Sequence, residues 1–277
     1  MDLVSLSLAC LGLFIAGVIK GASGIGYSTA ALPFLVLAVG LKPAMALVIA
    51  PAIASNLAVM IGSGNIAPIA ARFAPFYLAT IPGIAAGTIA LTLIDVSLAT
   101  KGLGAITLAY VALALAKPGL RLPARLERPL TVPAGLMNGV VTGLTGSQIM
   151  PLMPFMLALG LRPAEQVQAI NLAVTVASCV LAMAMLHAGL ATTQLLAVSL
   201  IGILPAVLGV LLGARLRSGL SEGTFKRLTL YVLAFIAASL ILNSAPSSDR
   251  QCSETVAASA DATRRTTSRP ICNADRA

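Results

Sequence analysis

Two clusters of glycine and small hydroxyl residues suggest the chemistry of this sequence. The first reads Gly21-Ala22-Ser23-Gly24-Ile25-Gly26-Tyr27-Ser28-Thr29, and the second reads Gly143-Leu144-Thr145-Gly146-Ser147-Gln148. Glycine costs roughly 1 kcal/mol in a helix interior relative to alanine, so each cluster predicts a helix break. A helix that begins after such a break points its free N–H groups and its positive dipole end at the break. Two such ends facing one cavity would bind an anion.

The predicted anion site combines these clusters with two amide residues. Asn56 and Asn171 follow the clusters at a similar distance along the chain, in apolar stretches where an amide either joins helices or lines a pathway. Helix packing is the alternative for the glycines, since Gly-x-x-x-Gly at 17/21, 135/139 and 139/143 is also typical of close helix contacts in lipid. The substrate-binding candidates are Gly21, Ser23, Gly24, Gly26, Tyr27, Asn56, Gly143, Thr145, Gly146, Ser147, Gln148 and Asn171.

Other chemistries lack the residues that they need. The chain has one histidine, and only five acids precede the tail that begins near residue 246, so the sequence argues against a membrane-embedded enzyme. There is no Walker-type phosphate loop and no metal-binding spacing, and we expect no catalytic residue, cofactor or metal site. No acid lies deep in an apolar stretch, so no carboxylate is available for coupling to protons or sodium. Arg162 and Glu165 are spaced as a local ion pair, and His187 is predicted to lie in a turn.

The composition predicts an integral membrane protein. Of the 277 residues, 58% are hydrophobic and 10% are charged, whereas soluble domains are about 45–50% apolar and about 25% charged. The net charge of +9 does not indicate nucleic-acid binding, because the basic residues are scattered rather than clustered. The expected surroundings are a lipid bilayer, with no nucleic-acid partner.

Charge-free stretches are long enough for about ten helical segments. The alternation of a membrane β-barrel is absent, so the expected fold is all-α and polytopic. Segments 26–40 and 147–160 have only about 15 residues, which is short for a full crossing, so ten and eight crossings both remain open. The predicted segments are 3–20, 26–40, 44–62, 72–94, 98–116, 129–144, 147–160, 164–186, 191–213 and 226–244.

The basic residues of the connecting loops predict how the chain is oriented. With ten crossings, eleven of them fall on one side and only Lys42 and Lys101 on the other. Both termini are therefore expected outside, and the loop 117–128 in the cytoplasm. The eight-crossing alternative keeps the termini outside but moves Lys42 to the cytoplasmic side. The residues placed on the cytoplasmic side are Lys20, Arg72, Lys117, Arg121, Arg125, Arg128, Arg162, Arg215, Arg217, Lys226 and Arg227.

The two halves of the chain resemble each other at an offset near 120 residues. Gly17 to Gly24 matches Gly139 to Gly146, and Gly40-Leu41-Lys42-Pro43-Ala44 matches Gly160-Leu161-Arg162-Pro163-Ala164. Five segments per half is an odd number, so the second copy must enter the membrane upside down. Inverted repeats are typical of transporters that hold substrate between the copies and work by alternating access. The expected organisation is a first repeat at 1–116, a basic cytoplasmic linker at 117–128, a second repeat at 129–245 and a disordered tail at 246–277.

The sequence resembles the sulfite exporter TauE/SafE family, also called the 4-toluene sulfonate uptake permease family. The resemblance rests on Gly17 through Pro33, on the run from Gly40 to Ala44 and on the same order in the second half, and it covers about residues 1–243. It implies a bacterial inner-membrane permease for sulfite, sulfonates or related organosulfur anions, moved without ATP. Family members commonly have three successive glycines where this chain has Gly26-Tyr27-Ser28, so the bulkier side chains are expected to reshape the pocket.

Other functions compete with this interpretation. A drug/metabolite-type exporter also has ten helices in two halves, but it is expected to begin inside, so the location of the N-terminus separates the two. A scaffolding protein would have no use for an inverted repeat. The direction of transport, a co-transported ion and assembly into a homo-oligomer are left open by the sequence.

Overall fold

A computed structural model describes residues 3–23, 26–61, 66–116, 121–148, 150–216 and 222–243, and these residues are almost entirely α-helical. No strand occurs among them. The helices are α1 (Leu3–Ser23), α2 (Tyr27–Val39), α3 (Leu41–Ile61), α4 (Ala67–Leu93), α5 (Val96–Ala116), α6 (Ala124–Thr145), α7 (Leu152–Ala158), α8 (Pro163–His187), α9 (Thr193–Ser199), α10 (Ile203–Leu216) and α11 (Glu222–Asn243).

The helices have the lengths and surfaces of a membrane bundle. Within the described residues, five helical stretches are long and apolar enough to cross a bilayer: α3, α4, α5, α8 and the stretch from Thr193 to Leu216. Large apolar side chains such as Leu78, Leu93 and Phe235 are exposed on the outer surface, as expected where the solvent is lipid. The chain is therefore an all-α, multi-pass membrane protein, as its composition predicts.

Several helix boundaries differ from the predicted ones, and prolines account for three of the differences. The predicted segment 191–213 is interrupted at 200–202, because Pro205 cannot bond back to residue 201 and its ring clashes with that carbonyl. α6 begins at Ala124 rather than near 129, since Pro123 is followed by good helix formers inside the predicted linker. α7 has only seven residues instead of the predicted fourteen or so, because Pro151 at its N-cap delays the start of the helix.

The halves of the chain pack by exchanging helices. α1 runs along α10 and α6 runs along α4, while α3 packs on α8 and α5 packs on α11. In the two first pairs the backbones touch through glycine: a Cβ on Gly17 would collide with the Ala206 carbonyl oxygen, and a Cβ on Gly139 with that of Thr80. We call these two contacts, α1–α10 and α4–α6, the glycine seams. Such seams let helices associate in lipid, where the hydrophobic effect between helices is absent.

Glycines with positive φ stand at both ends of the short segment in each half. Gly26 and Gly40, before and after α2, have φ values of 88° and 82°, and Gly146 and Gly160, before and after α7, have φ values of 74° and 62°. Positive φ is open to glycine without a steric penalty. Each half therefore turns its backbone through glycine at both ends of its short segment.

The short helix α2 lies inside the bundle. Its thirteen residues correspond to roughly 20 Å, less than the roughly 30 Å thickness of the hydrocarbon core. Nearly every side chain from Tyr27 to Val36 is buried, and α2 contacts α1, α3, α5 and α11. A helix that is apolar and buried all round belongs to the interior, so the N-terminus of α2 begins inside the protein.

Candidate functional site

The break between α1 and α2 opens a helix N-terminus into the protein interior. α1 ends at Ser23, and Gly26 precedes the first residue of α2 in a left-handed conformation. No side chain caps this helix. The first bond that closes the helix runs from the Ala30 N–H to the Gly26 carbonyl at 3.1 Å, so the earlier amides have no acceptor within α2 itself. The positive end of the helix dipole therefore lies at this break.

A cavity lies directly in front of this N-terminus and is lined by both halves of the chain. Its volume is about 20 Å³, which exceeds the roughly 10–15 Å³ that one water molecule requires. We call it the central cavity. Its lining residues are Gly26, Tyr27, Ser28, Thr29, Asn56, Gln148, Met153, Ile170, Asn171 and Val174.

Lys20 places a buried amino group beside two of the lining residues. Its side chain is 1% exposed. The Nζ atom donates to Asn56 Oδ1 on α3 and to Asn171 Oδ1 on α8, the latter at 2.9 Å. In the part of the chain that the structure describes, no carboxylate lies within ion-pair distance of Lys20. A full positive charge here would be hydrogen-bonded by two neutral amides but would have no negative charge beside it among these residues.

The prediction that Lys20 lies in a cytoplasmic loop is wrong. α1 continues for three residues beyond Lys20, to Ser23, and the lysine side chain lies between α3 and α8 instead of reaching a membrane surface. The expectation that charged residues mark segment ends fails for Lys20, because amide oxygens replace the water around its ammonium group. The sequence does contain a signal for a buried donor, namely Asn56 and Asn171, whose amide oxygens need a hydrogen-bond donor inside the membrane.

The two asparagines are oriented differently. Asn171 Nδ2 donates to the Val167 carbonyl at 2.7 Å, so both ends of its amide are engaged. Asn56 accepts from Lys20, and its Nδ2 atom is buried without a partner in the described structure. Leaving such a donor unpaired costs about 1–3 kcal/mol. Asn56 therefore offers a free N–H group beside the buried amine.

Two further polar groups of the cavity lining lack a partner among the described residues. They are Ser28 Oγ at the start of α2 and Gln148 Oε1 after α6. Gln148 Nε2 contacts Ser178 Oγ at 3.1 Å. Because a hydroxyl both donates and accepts, the Gln148 amide can bond to Ser178 through either end and present oxygen or NH₂ to the cavity. The polar wall can thus adapt to an acceptor-rich ligand.

Five of the predicted site residues line the central cavity, namely Gly26, Tyr27, Asn56, Gln148 and Asn171. Ser28 and Thr29 join them from the first cluster, although they were not among the candidates. Gly24 and the side chain of Ser23 lie outside the described part of the chain. The apolar wall of Met153, Ile170 and Val174 carried no signal in the sequence, since such residues are common in every membrane helix.

The remaining candidates lie away from the cavity lining. Gly21 and Gly143 lie within α1 and α6, where a Cβ would collide with the carbonyl oxygens of Val210 and Ile84. These two glycines therefore make the helix-packing contacts that the sequence left as the alternative. The others surround the C-terminus of α6: the Thr145 hydroxyl donates to the Val141 carbonyl, Gly146 caps the helix, and Ser147 is buried.

An aromatic cluster from α4 and α7 packs against the apolar wall of the cavity. Phe76 stacks on Phe155 with ring centroids 5.8 Å apart, and the Tyr77 hydroxyl donates to the Ala169 carbonyl at 3.2 Å. The cluster packs with Met153 and Ile170, which also line the cavity.

Two ion pairs lie near the starts of α4, α6 and α8. Arg72 makes a two-pronged hydrogen bond with Glu127, at 2.9 and 3.0 Å, which joins α4 to the first turn of α6. The predicted pair of Arg162 and Glu165 is confirmed, and its hydrogen bond raises the pKa of the Arg162 side chain. The predicted turn histidine His187 ends α8 and is exposed.

The structure is that of a multi-pass membrane protein with a polar cavity between its helices and the buried Lys20 beside two of the lining residues. A sequence model of the sulfite exporter TauE/SafE family matches residues 9–240. Because the match spans most of the chain, the protein belongs to the TauE/SafE family, as its resemblance implied. Neither a curated protein nor a solved structure matches the chain. The family consists of membrane permeases for sulfur anions, so the chain is a membrane transporter of this class.

Proposed function

We propose that the protein is a secondary transporter of a small sulfur oxyanion, such as sulfite or a sulfonate, in a bacterial inner membrane. The anion binds in the central cavity, and the two halves of the chain expose this cavity alternately to the two sides. The observation that carries the proposal is the burial of Lys20 between Asn56 and Asn171, with no carboxylate beside it among the described residues.

The charge of Lys20 selects for an anion. An ammonium group that is removed from water loses several kcal/mol of solvation unless it is paired and hydrogen-bonded. Two neutral amides satisfy two of its N–H groups but leave the charge uncompensated. An anion in the adjacent cavity supplies the missing charge, whereas a cation there would be repelled and a neutral solute would leave the charge as it was.

The donors around the cavity suit an oxyanion with several oxygen atoms. Asn56 Nδ2 and the Ser28 hydroxyl have no other partner in the described structure, and the first amides of α2 point at the same space. Gln148 contributes a further N–H when its amide is turned. Charge-assisted hydrogen bonds of this kind are about twice as strong as neutral ones. A sulfonate or sulfite group presents three oxygens in a compact head, which matches this cluster of donors.

The exchanged packing of the helices supports alternating access. If the chain is an inverted repeat, the first helix of each half pairs with the fourth of the other, and these are the pairs α1–α10 and α6–α4. Positive-φ glycines flank the short segment in each half, as such a duplication predicts. A cavity of about 20 Å³ admits a water but not an oxyanion of four heavy atoms. This conformation is therefore closed, and the anion binds after the halves move apart.

The proposal is tested by counterflow in liposomes that contain the full-length protein. Sulfite and methanesulfonate should exchange, while a small cation should not. Lys20→Met should reduce sulfite counterflow by roughly 100-fold or more, the loss expected when one partner of a buried charge is removed.

Lys101→Met is the matched control, because Lys101 is exposed on α5 and should keep normal counterflow. Normal counterflow in Lys20→Met would contradict the assignment of the site. Exchange of cations in place of anions would contradict the assignment of the substrate class.

A further inference from the structure

We infer that Lys20 carries a proton together with the anion, so that transport is an electroneutral symport of one monoanion and one proton. This inference rests on the function proposed above and identifies the coupling ion. It follows from the number of hydrogen-bond acceptors that surround Lys20 and from the absence of a carboxylate beside it in the described structure.

The site fits both protonation states of a lysine amine. An ammonium group has three N–H donors, and a neutral amine has two. Two amide oxygens, those of Asn56 and Asn171, accept from Nζ, and no third acceptor is found among the described residues. With an anion bound, the third N–H bonds to an oxygen of the anion. Without an anion, the neutral amine satisfies both amides and leaves no donor unpaired.

The charge balance makes the two states alternate during transport. Lysine ammonium plus a monoanion is a neutral pair, which the buried site tolerates. After the anion leaves, an ammonium would remain uncompensated at a cost of several kcal/mol. The lowest-cost route is that one N–H bond breaks, the proton passes to water on the side of release, and the electron pair stays on nitrogen.

The cycle is complete when the empty carrier has returned. The neutral amine takes a proton from water on the loading side as the next anion enters. Each turn therefore moves one anion and one proton in the same direction and no net charge. The direction of transport then follows the combined gradients of the two ions.

Among the side chains that the structure describes, no neighbouring element places an acid beside Lys20 that would take over this role. On α3 and α8 the groups that face its amine are the two amides, and α8 carries Glu165 at its surface, paired with Arg162. The one titratable residue of α2 is Tyr27, whose hydroxyl donates to the Leu13 carbonyl at 3.4 Å.

The remaining neighbours carry their ionisable groups at helix ends or on outer surfaces. α10 has one such group, Arg215, which is exposed at its C-terminal end. On α11, Tyr231 is exposed, and Glu222, Lys226 and Arg227 belong to its first two turns. Because no described carboxyl group lies beside Lys20, its amine is left as the group that can exchange a proton with the cavity.

The experiment uses the full-length protein in liposomes, with methanesulfonate as the probe. A sulfonate is fully ionised at any working pH, so any proton that accompanies it is carried by the protein. The membrane potential is held at zero with potassium and valinomycin, and a trapped dye reports the internal pH. A methanesulfonate gradient should move one proton per anion. An imposed proton gradient should concentrate the probe about tenfold per pH unit.

Lys20→Arg separates binding of the anion from coupling to the proton, because a guanidinium does not lose its proton in proteins. This variant should show reduced but measurable methanesulfonate counterflow, in which the carrier returns loaded, and no accumulation driven by a proton gradient. Lys101→Arg, at an exposed position, should behave as the wild-type protein.

The outcomes distinguish this inference from the function that it rests on. The proton inference is overturned while the anion site stands if wild-type methanesulfonate flux leaves the internal pH unchanged at zero potential and is driven instead by a potential imposed with a potassium gradient and valinomycin. The proton inference is also overturned if the Lys20→Arg variant accumulates methanesulfonate when a proton gradient is imposed. If the wild-type protein shows no anion counterflow at all, the proposed function fails. Should Lys20→Arg be inactive, the internal pH of wild-type vesicles decides alone.

Discussion

The two glycine breaks face one cavity but differ in what they contribute to it. The first break is preceded by Lys20 and followed by α2, a helix of thirteen residues whose start lines the cavity. In the second break the position that matches Lys20 is Thr142, whose hydroxyl donates to the Ser147 carbonyl at 3.2 Å. It is followed by the seven-residue α7. The first break supplies charge and free amides, and the second supplies the adaptable amide of Gln148.

In the proposed function, this difference would leave two similar halves with a single anion site. A lysine in both breaks would place two cations near one small cavity, where each would oppose the charge of the other. The amide partners also lack counterparts in the other half. Downstream of the breaks, the match of Gly40–Ala44 to Gly160–Ala164 has an offset of 120 residues, at which Asn56 corresponds to Val176 and Asn171 corresponds to Pro51. Neither side chain can accept a hydrogen bond, so the two amide oxygens that hold Lys20 are not repeated.

The largest effect should come from neutralising the first break. Asn56→Asp keeps the size of the side chain and places a carboxylate against Lys20, so the site forms its own ion pair. We expect anion counterflow to fall roughly 100-fold, while the unfolding temperature in detergent stays equal or rises. Counterflow assays and thermal unfolding together test this, and unchanged flux would show that the charge of Lys20 does not attract the substrate.

A smaller effect is expected from substitutions in the two glycine seams. Gly17→Ala and Gly139→Ala each place a methyl group against a carbonyl oxygen of the facing helix, so each should destabilise the protein by about 1–3 kcal/mol. Gly102→Ala is the control, because the nearest heavy atom would lie 3.9 Å away. Unfolding in detergent with increasing denaturant measures all three. A strong loss of stability in one of the two seam variants with no loss in the other would contradict the similarity of the two glycine seams.

The smallest effect should come from the second break. Thr142→Val keeps the shape of the side chain and removes the hydroxyl that bonds to Ser147. We expect a loss of about 1 kcal/mol in stability and methanesulfonate counterflow close to that of the wild-type protein. If Thr142→Val lost as much methanesulfonate flux as Lys20→Met, both breaks would contribute similarly to anion binding, which would contradict the difference between them described above.

Much of the architecture could be predicted from local patterns. Apolar stretches must reach across the bilayer, so their lengths predict most of the helices. The exceptions are α7, which is half as long as predicted, and the predicted segment 191–213, which forms α9 and α10. Glycine clusters predict breaks, and α1 and α6 do end inside them, at Ser23 and Thr145. Gly21 and Gly143 could not be assigned in this way. The same residue type serves a break and a close helix contact, and the choice depends on which helix lies opposite.

The sequence by itself determined that the chain is a helical membrane protein, since a chain with 58% hydrophobic and 10% charged residues has too few charges for a surface in water. It also located the helix breaks and the similarity between the two halves, because both can be recognised from short runs of residue types. Only the tertiary structure decided where Lys20 lies. A long side chain near a helix end can extend to the membrane surface or turn inwards, and the partners on α3 and α8, distant in sequence, hold it at the centre.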